Sequence, residues 1–87
     1  MTITQTSQFK KDVRRQIKRG RDLRKLKAVI ERLVAGKSLP ARLRDHPLAG
    51  GWKGWRDCHI EPDWLLIYRA APRELVLGRT GTHSDLF

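Results

Sequence analysis

Three histidines, an aspartate and an arginine in the second half of the chain are the residue types that RNA cleavage by proton transfer needs: His46, His59, Asp63, Arg79 and His83. A base must take the proton from a ribose 2′-hydroxyl, a cation must meet the charge on the phosphate, and an acid must protonate the departing 5′-oxygen. Histidine, with an unperturbed pKa of about 6.5, serves as either proton partner near neutral pH. Arginine presents a fixed fork of donors that matches a phosphate. The set has chemical meaning only if the fold gathers it. Taken singly, each histidine is more often an exposed or hydrogen-bonded structural residue than a chemical one.

The same residues, with Cys58, are also metal ligands by type. Their spacing argues against a metal centre: none of the C-x2-C, H-x3-H or H-E-x-x-H arrangements occurs, and Cys58 and His59 are neighbours, hence on opposite sides of a strand. Neither a metal nor another cofactor is expected. Trp52, Trp55 and Trp64 have the faces to stack on bases, although filling a small core explains Trp52 and Trp55 equally well.

The elements that must position these groups follow from periodicity. "TITQT" reads as a short first strand. "SQFKKDVRRQIKRG" carries Phe9, Val13 and Ile17 four apart on one helical face, with Ser7 placed to cap its start and Gly20 to end it. "RDLRKLKAVIERLVAGK" repeats the pattern with a wider stripe, between Asp22 as N-cap and Gly36 as terminator. The two helices are expected to fold back on each other with their apolar stripes inward. Ser38 to Gly54 has no sustained period and reads as a long connection, a kind of loop that is often functional.

Three β-rich runs follow, "WRDCHI", "WLLIYRA" and "ELVLGRT", separated by the turn sequences "EPD" and "APR". The order β, α, α, loop, β, β, β predicts an α+β fold with two helices on one face of a small sheet. In the first of these runs Cys58 and Ile60 face the helices, while Trp55, Asp57 and His59 face the other way. Strict alternation would place Arg79 with Leu75 and Leu77, unless the strand bulges near Gly78. A strand beside the one that carries His59 would bring His83 close to it.

Length and charge set the outer limits. The 87 residues suffice for one domain with a modest core, leaving no room for a deep enclosed chamber. One cysteine excludes an internal disulfide framework, and the lack of a leader or a long apolar run points to the cytoplasm, away from membranes. The formal net charge is +10, and its placement is uneven: residues 1 to 45 hold 14 basic and four acidic side chains, residues 46 to 87 five of each. A basic helical half draws a polyanion such as nucleic acid, or an acidic protein.

"LRDHPLAGGWKGWRDCHIEPDWLLIYR" and "LVLGRTGTHSDLF", with the two-helix start "FKKDVRRQIKRGRDLRKLKAVIERL", closely resemble the YafQ branch of the RelE/ParE superfamily of bacterial toxins, over essentially the whole chain. The resemblance implies a RelE-like β-α-α-β-β-β domain spanning residues 1 to 87, with a mostly antiparallel sheet. It implies a ribosome-dependent endoribonuclease that cuts mRNA in the decoding site without a metal, held inactive by a cognate antitoxin and monomeric when alone. Its site residues map to His46, His59, Asp63 and His83, with Arg79 on the scissile phosphate and Phe87 and Trp64 toward the substrate. On this resemblance His83 is the general acid, Asp63 working with His59 is the favoured base, and His46 positions the nucleophile. Two other readings compete: a ParE-like toxin acting on DNA gyrase, which lacks this His, Asp and Arg set, and an RNA-binding module without turnover.

Overall fold

In a computed structural model that describes all 87 residues, Met1–Phe87, the chain opens with strand β1 (Thr2–Gln5) and turns at Thr6 into helix α1 (Ser7–Lys18). Thr6, rather than Ser7, is the N-cap: its hydroxyl accepts the Phe9 N–H at 3.0 Å and donates to the Gly78 carbonyl at 2.8 Å. Gly20 ends the helix with a φ of +80°, and Asp22 caps helix α2 (Leu23–Val34), as the sequence predicts. The connection from Ser38 to Gly54 is not wholly irregular. It contains 3-10 turns at Ala41–Leu43 and Gly50–Trp52, and between them the two-residue strand β2 (His46–Pro47). Strands β3 (Arg56–Glu61), β4 (Trp64–Ala71) and β5 (Glu74–Gly81) form the expected meander, and a short helix α3 (His83–Leu86) follows.

The sheet order is β1-β5-β4-β3-β2; all neighbours are antiparallel except β1, which pairs in parallel with β5. The fold is thus the α+β class anticipated, with a fifth strand added at the edge. One face carries the main core, where Phe9, Leu26 and Val29 of the helices meet Cys58, Leu66, Tyr68, Leu75 and Leu77 of the sheet. Both helices turn their apolar surface to the sheet and meet in this one cluster, with Val13, Leu23 and Ile30 packed against it. Leu65, Ile67 and Leu86 form a smaller cluster on the opposite face, covered by Leu48 and Trp52 from the connection and by Trp55 just after it.

The inward stripe of α1 differs from the expected one. Phe9 is buried and Val13 half-buried, but Ile17 is exposed, and Asp12 and Gln16 are buried instead. The cause lies in β5, where the register with β4 slips so that Ile67 faces Arg79 and Tyr68 faces Leu77, leaving Gly78 as the extra residue of a bulge. The bulge turns Arg79 out of the apolar row, and Asp12 meets it with Nε–Oδ2 at 2.7 Å and Nη2–Oδ1 at 3.2 Å. Asp12 also accepts the Thr80 N–H at 3.2 Å, so α1 rotates to serve the bulge. The Trp55 ring lies over Gly78, where an added Cβ would come within 2.6 Å of Trp55 Cζ3.

Candidate active site

Asp57 and His59 point away from the main core as alternation predicts, and β2 supplies the next position across the sheet, with His46 opposite Asp57. The connection that bears His46 is pinned from below. Asp45 accepts the Tyr68 hydroxyl at 2.5 Å and the Arg56 guanidinium at 3.2 and 3.3 Å. Arg44 just before it has φ +49°, a left-handed conformation rare for a branched-chain or long side chain, which turns its carbonyl onto His46 Nδ1 at 2.6 Å. A carbonyl only accepts, so Nδ1 carries a proton, and in the neutral ring the lone pair that can act as a base lies on Nε2.

His83 stands at the start of α3, which a reciprocal capping box between Thr82 and Asp85 fixes. Arg19 at the end of α1 clamps the same Asp85 at 2.6 and 3.1 Å, tying the basic helix to the C-terminal turn and holding that carboxyl well below the ordinary range. Gly81 leaves the room this needs, since a Cβ there would meet Asp85 Oδ2 at 2.7 Å. Asp63, in the β3–β4 turn, accepts both the backbone N–H of His83 at 2.9 Å and its ring Nδ1–H at 2.6 Å. These bonds lower the Asp63 pKa, the backbone one most, so the carboxylate is ionised and presents His83 with its Nε2 outward. Arg21 steadies that turn through Glu61 at 2.7 Å and the Asp63 carbonyl at 3.2 Å. The rings of His59 and His83 lie 5.5 Å apart, centroid to centroid.

Both rings open on a cleft of about 490 Å³ that Arg42, Arg44, Glu61 and Pro62 also line. His59, Asp63 and His83 are therefore brought together, with His46 one strand further on. Arg79 is not among them. It lies in the lateral row His46, Asp57, Ile67, Arg79, three strand spacings or about 14 Å from His46. Its guanidinium is engaged by Asp12, and only 22% of the side chain is exposed. Trp64 has no accessible surface: it sits in the main core, donates its indole N–H to Thr80 Oγ1 at 2.9 Å, and is not free to stack on a base. Phe87 keeps 62% of its surface exposed while its N–H is bonded to the His83 carbonyl at 2.9 Å. Its ring is available next to the site on an anchored backbone.

Two features escape sequence reasoning. Arg42 and Arg44 line the cleft with no carboxylate partner, cations that only the path of the connection places there. Asp57 is 4% exposed and lies under the histidines; alternation with His59 was the available signal. No three ligating side chains are arranged to hold a metal ion.

The chain is similar to known proteins over its whole length. The family model described as "Bacterial toxin of type II toxin-antitoxin system, YafQ" matches residues 1–87. A protein of Escherichia coli named mRNA interferase toxin YafQ is 48% identical over 86 residues, which cover 98% of this chain and 94% of that one. The crystal structure of YafQ from E. coli superposes with a TM-score of 0.94 at 46% identity, covering 98% of this chain and 96% of that one. A chain from the E. coli DinJ-YafQ complex does so with a TM-score of 0.91 at 48% identity and the same coverage.

Proposed function

Because the chain belongs to the YafQ family of toxins from bacterial type II toxin–antitoxin systems, we propose that it is an mRNA interferase, an endoribonuclease neutralised by its own antitoxin. The E. coli relative of known structure is seen in complex with DinJ, which supports a small protein partner here. We infer further that the message is cut while it occupies the ribosome. The exposed basic residues of α1 and α2, among them Lys10, Lys11, Arg14, Lys18 and Lys27, suit a grip on ribosomal RNA, and the ribosome would hold the message in line for attack.

The single observation that carries the mechanism is the Asp63–His83–His59 cluster at the mouth of the cleft. His59 or His46 removes the 2′-hydroxyl proton through a free ring nitrogen. The 2′-oxygen attacks phosphorus, the bond to the 5′-oxygen breaks, and His83, its ring held in place by Asp63, protonates the departing oxygen through Nε2. A 2′,3′-cyclic phosphate is left. Asp63, already accepting two bonds from His83, serves as the orienter of the acid; this moves the base from the Asp63–His59 pairing to the histidines themselves. Arg42 and Arg44 face the strand's phosphates in the cleft, a part that the engaged Arg79 is poorly placed to take.

His83→Ala tests this reading. It is expected to leave ribosome binding nearly intact and to slow single-turnover cleavage by about 100- to 10,000-fold. A message with sulfur in place of the scissile 5′-oxygen, whose leaving group needs no proton, should restore most of the lost rate. Equal loss with both messages would remove His83 from the role of acid.

A further inference from the structure

Asp57 is a buried carboxylate without a hydrogen-bond donor on Oδ1. That oxygen is 3.2 Å from His46 Nδ1, but the ring donates its Nδ1–H to the Arg44 carbonyl instead, so Oδ1 lies beside the ring without a hydrogen bond from it. Burial pushes the Asp57 pKa up, and the nearby His46, His59 and His83 oppose that rise while Asp45 adds to it. An unpartnered buried carboxylate lowers stability, and each such group calls for an explanation.

We propose that Asp57 is a positioning residue of the cleavage reaction: the carboxylate beneath His46 and His59 that stabilises the imidazolium formed when the base takes the 2′-hydroxyl proton. The inference rests on the interferase reading above. Before the transfer the ring is neutral and Oδ1 has nothing to neutralise. After it, the O–H bond of the ribose is broken, the proton sits on the ring nitrogen facing the cleft, and the positive charge spread over the ring lies beside Oδ1. The favourable interaction arises only as the transition state develops, which is the condition for it to accelerate the step. The groups that face Asp57 are His46 from β2, His59 on its own strand, His83 from α3 and, at longer range, Asp45. Three of the four gain by a negative charge at this point.

The test is Asp57→Asn, which keeps shape and removes charge, with Asp57→Ser as a second variant. A structural carboxylate would lose stability and activity together. The proposal expects them to part. Urea unfolding at neutral pH should show the variant as stable as the parent or more so, because a buried, unpaired charge has gone. Single-turnover cleavage should fall about 10- to 100-fold, less than removal of a triad aspartate costs elsewhere because the Arg44 carbonyl still fixes the tautomer. The loss should fall on kcat, with the KM for programmed ribosomes at the parental value, since a group that acts only as the ring takes up its proton leaves binding alone. Parental rates in both variants, parallel loss of stability and rate, or a loss carried by KM would overturn the assignment. His83→Ala, run alongside, fails separately: should it retain cleavage, the interferase mechanism falls whatever Asp57→Asn does.

Discussion

Asp12→Ala addresses the buried pair that holds the last strand. Asp12 is 1% exposed and accepts from Arg79 twice, from the Thr80 N–H, and from Gln8 Nε2 at 3.0 Å. Truncation leaves a largely buried guanidinium and a backbone donor without partners. Removing one member of a buried pair costs about 3–5 kcal/mol, and Arg79 retains some access to water, so the lower end applies, about 3 kcal/mol. For a chain of 87 residues the whole stability is roughly 4–13 kcal/mol. The melting temperature should therefore fall by about 12–24 °C. Circular dichroism during heating and urea titration measures it. Arg79→Ala in the Asp12→Ala background removes the orphaned charge and should recover about 1.5–2 kcal/mol, the coupling that a double-mutant cycle reports for residues in contact. A single-variant loss below about 1 kcal/mol, or strictly additive effects, would refute the reasoning that the bulge is built around this pair. The double variant also reads the second role: a protein that folds without the pair and still cuts its message at the parental rate assigns Arg79 to the fold alone.

Gly78→Ala should destabilise by about 1–3 kcal/mol in the same unfolding assays, because its methyl group would overlap the Trp55 ring that also stacks on Arg69 at 4.9 Å. Arg44→Gly should leave stability unchanged or raise it by up to about 1 kcal/mol, since the left-handed backbone suits glycine, while the KM for programmed ribosomes rises about tenfold from the loss of a cation in the cleft.

How much of this was legible beforehand depended on whether the signal was local. The meander, both turns, the Asp22 cap and the Gly20 and Gly36 ends lie in short stretches whose periodicity or turn chemistry is complete in itself. The bulge at Gly78 was visible as a conflict between alternation and the character of Arg79. Strand β2 was not legible, since two residues have no period and Pro47 suggests a break; only the pairing of His46 with Asp57 makes it a strand. The rotation of α1 was hidden for a similar reason. Phe9, Val13 and Ile17 mark an apolar face, yet the demand of Thr80 and Arg79 for an acceptor decides which side turns inward. Helix α3 did carry a signal, the Thr82 and Asp85 capping box, too short to weigh against the habit of loose ends. For the site, residue types named His59, Asp63 and His83, whereas the burial of Asp57 and Trp64 and the engagement of Arg79 depend on packing that no spacing displays.

The parallel seam between the first strand and the fifth sets an order of assembly. It pairs residues 72 apart, such as Ile3 with Leu75, and is supported by the bond from Thr4 Oγ1 to Glu74 Oε2. Closing so long a loop costs entropy that is recovered only afterwards. Until β5 is laid against β4, the opening strand has no neighbour, the Thr6 cap has no Gly78 carbonyl to reach, and Asp12 has nothing to grip. The leading helix thus docks late, on the segment that runs directly into His83. On the mechanism proposed above, a nascent copy still short of that segment has neither a complete sheet nor its acid, and the ribosome making it is spared by the sequence of folding itself.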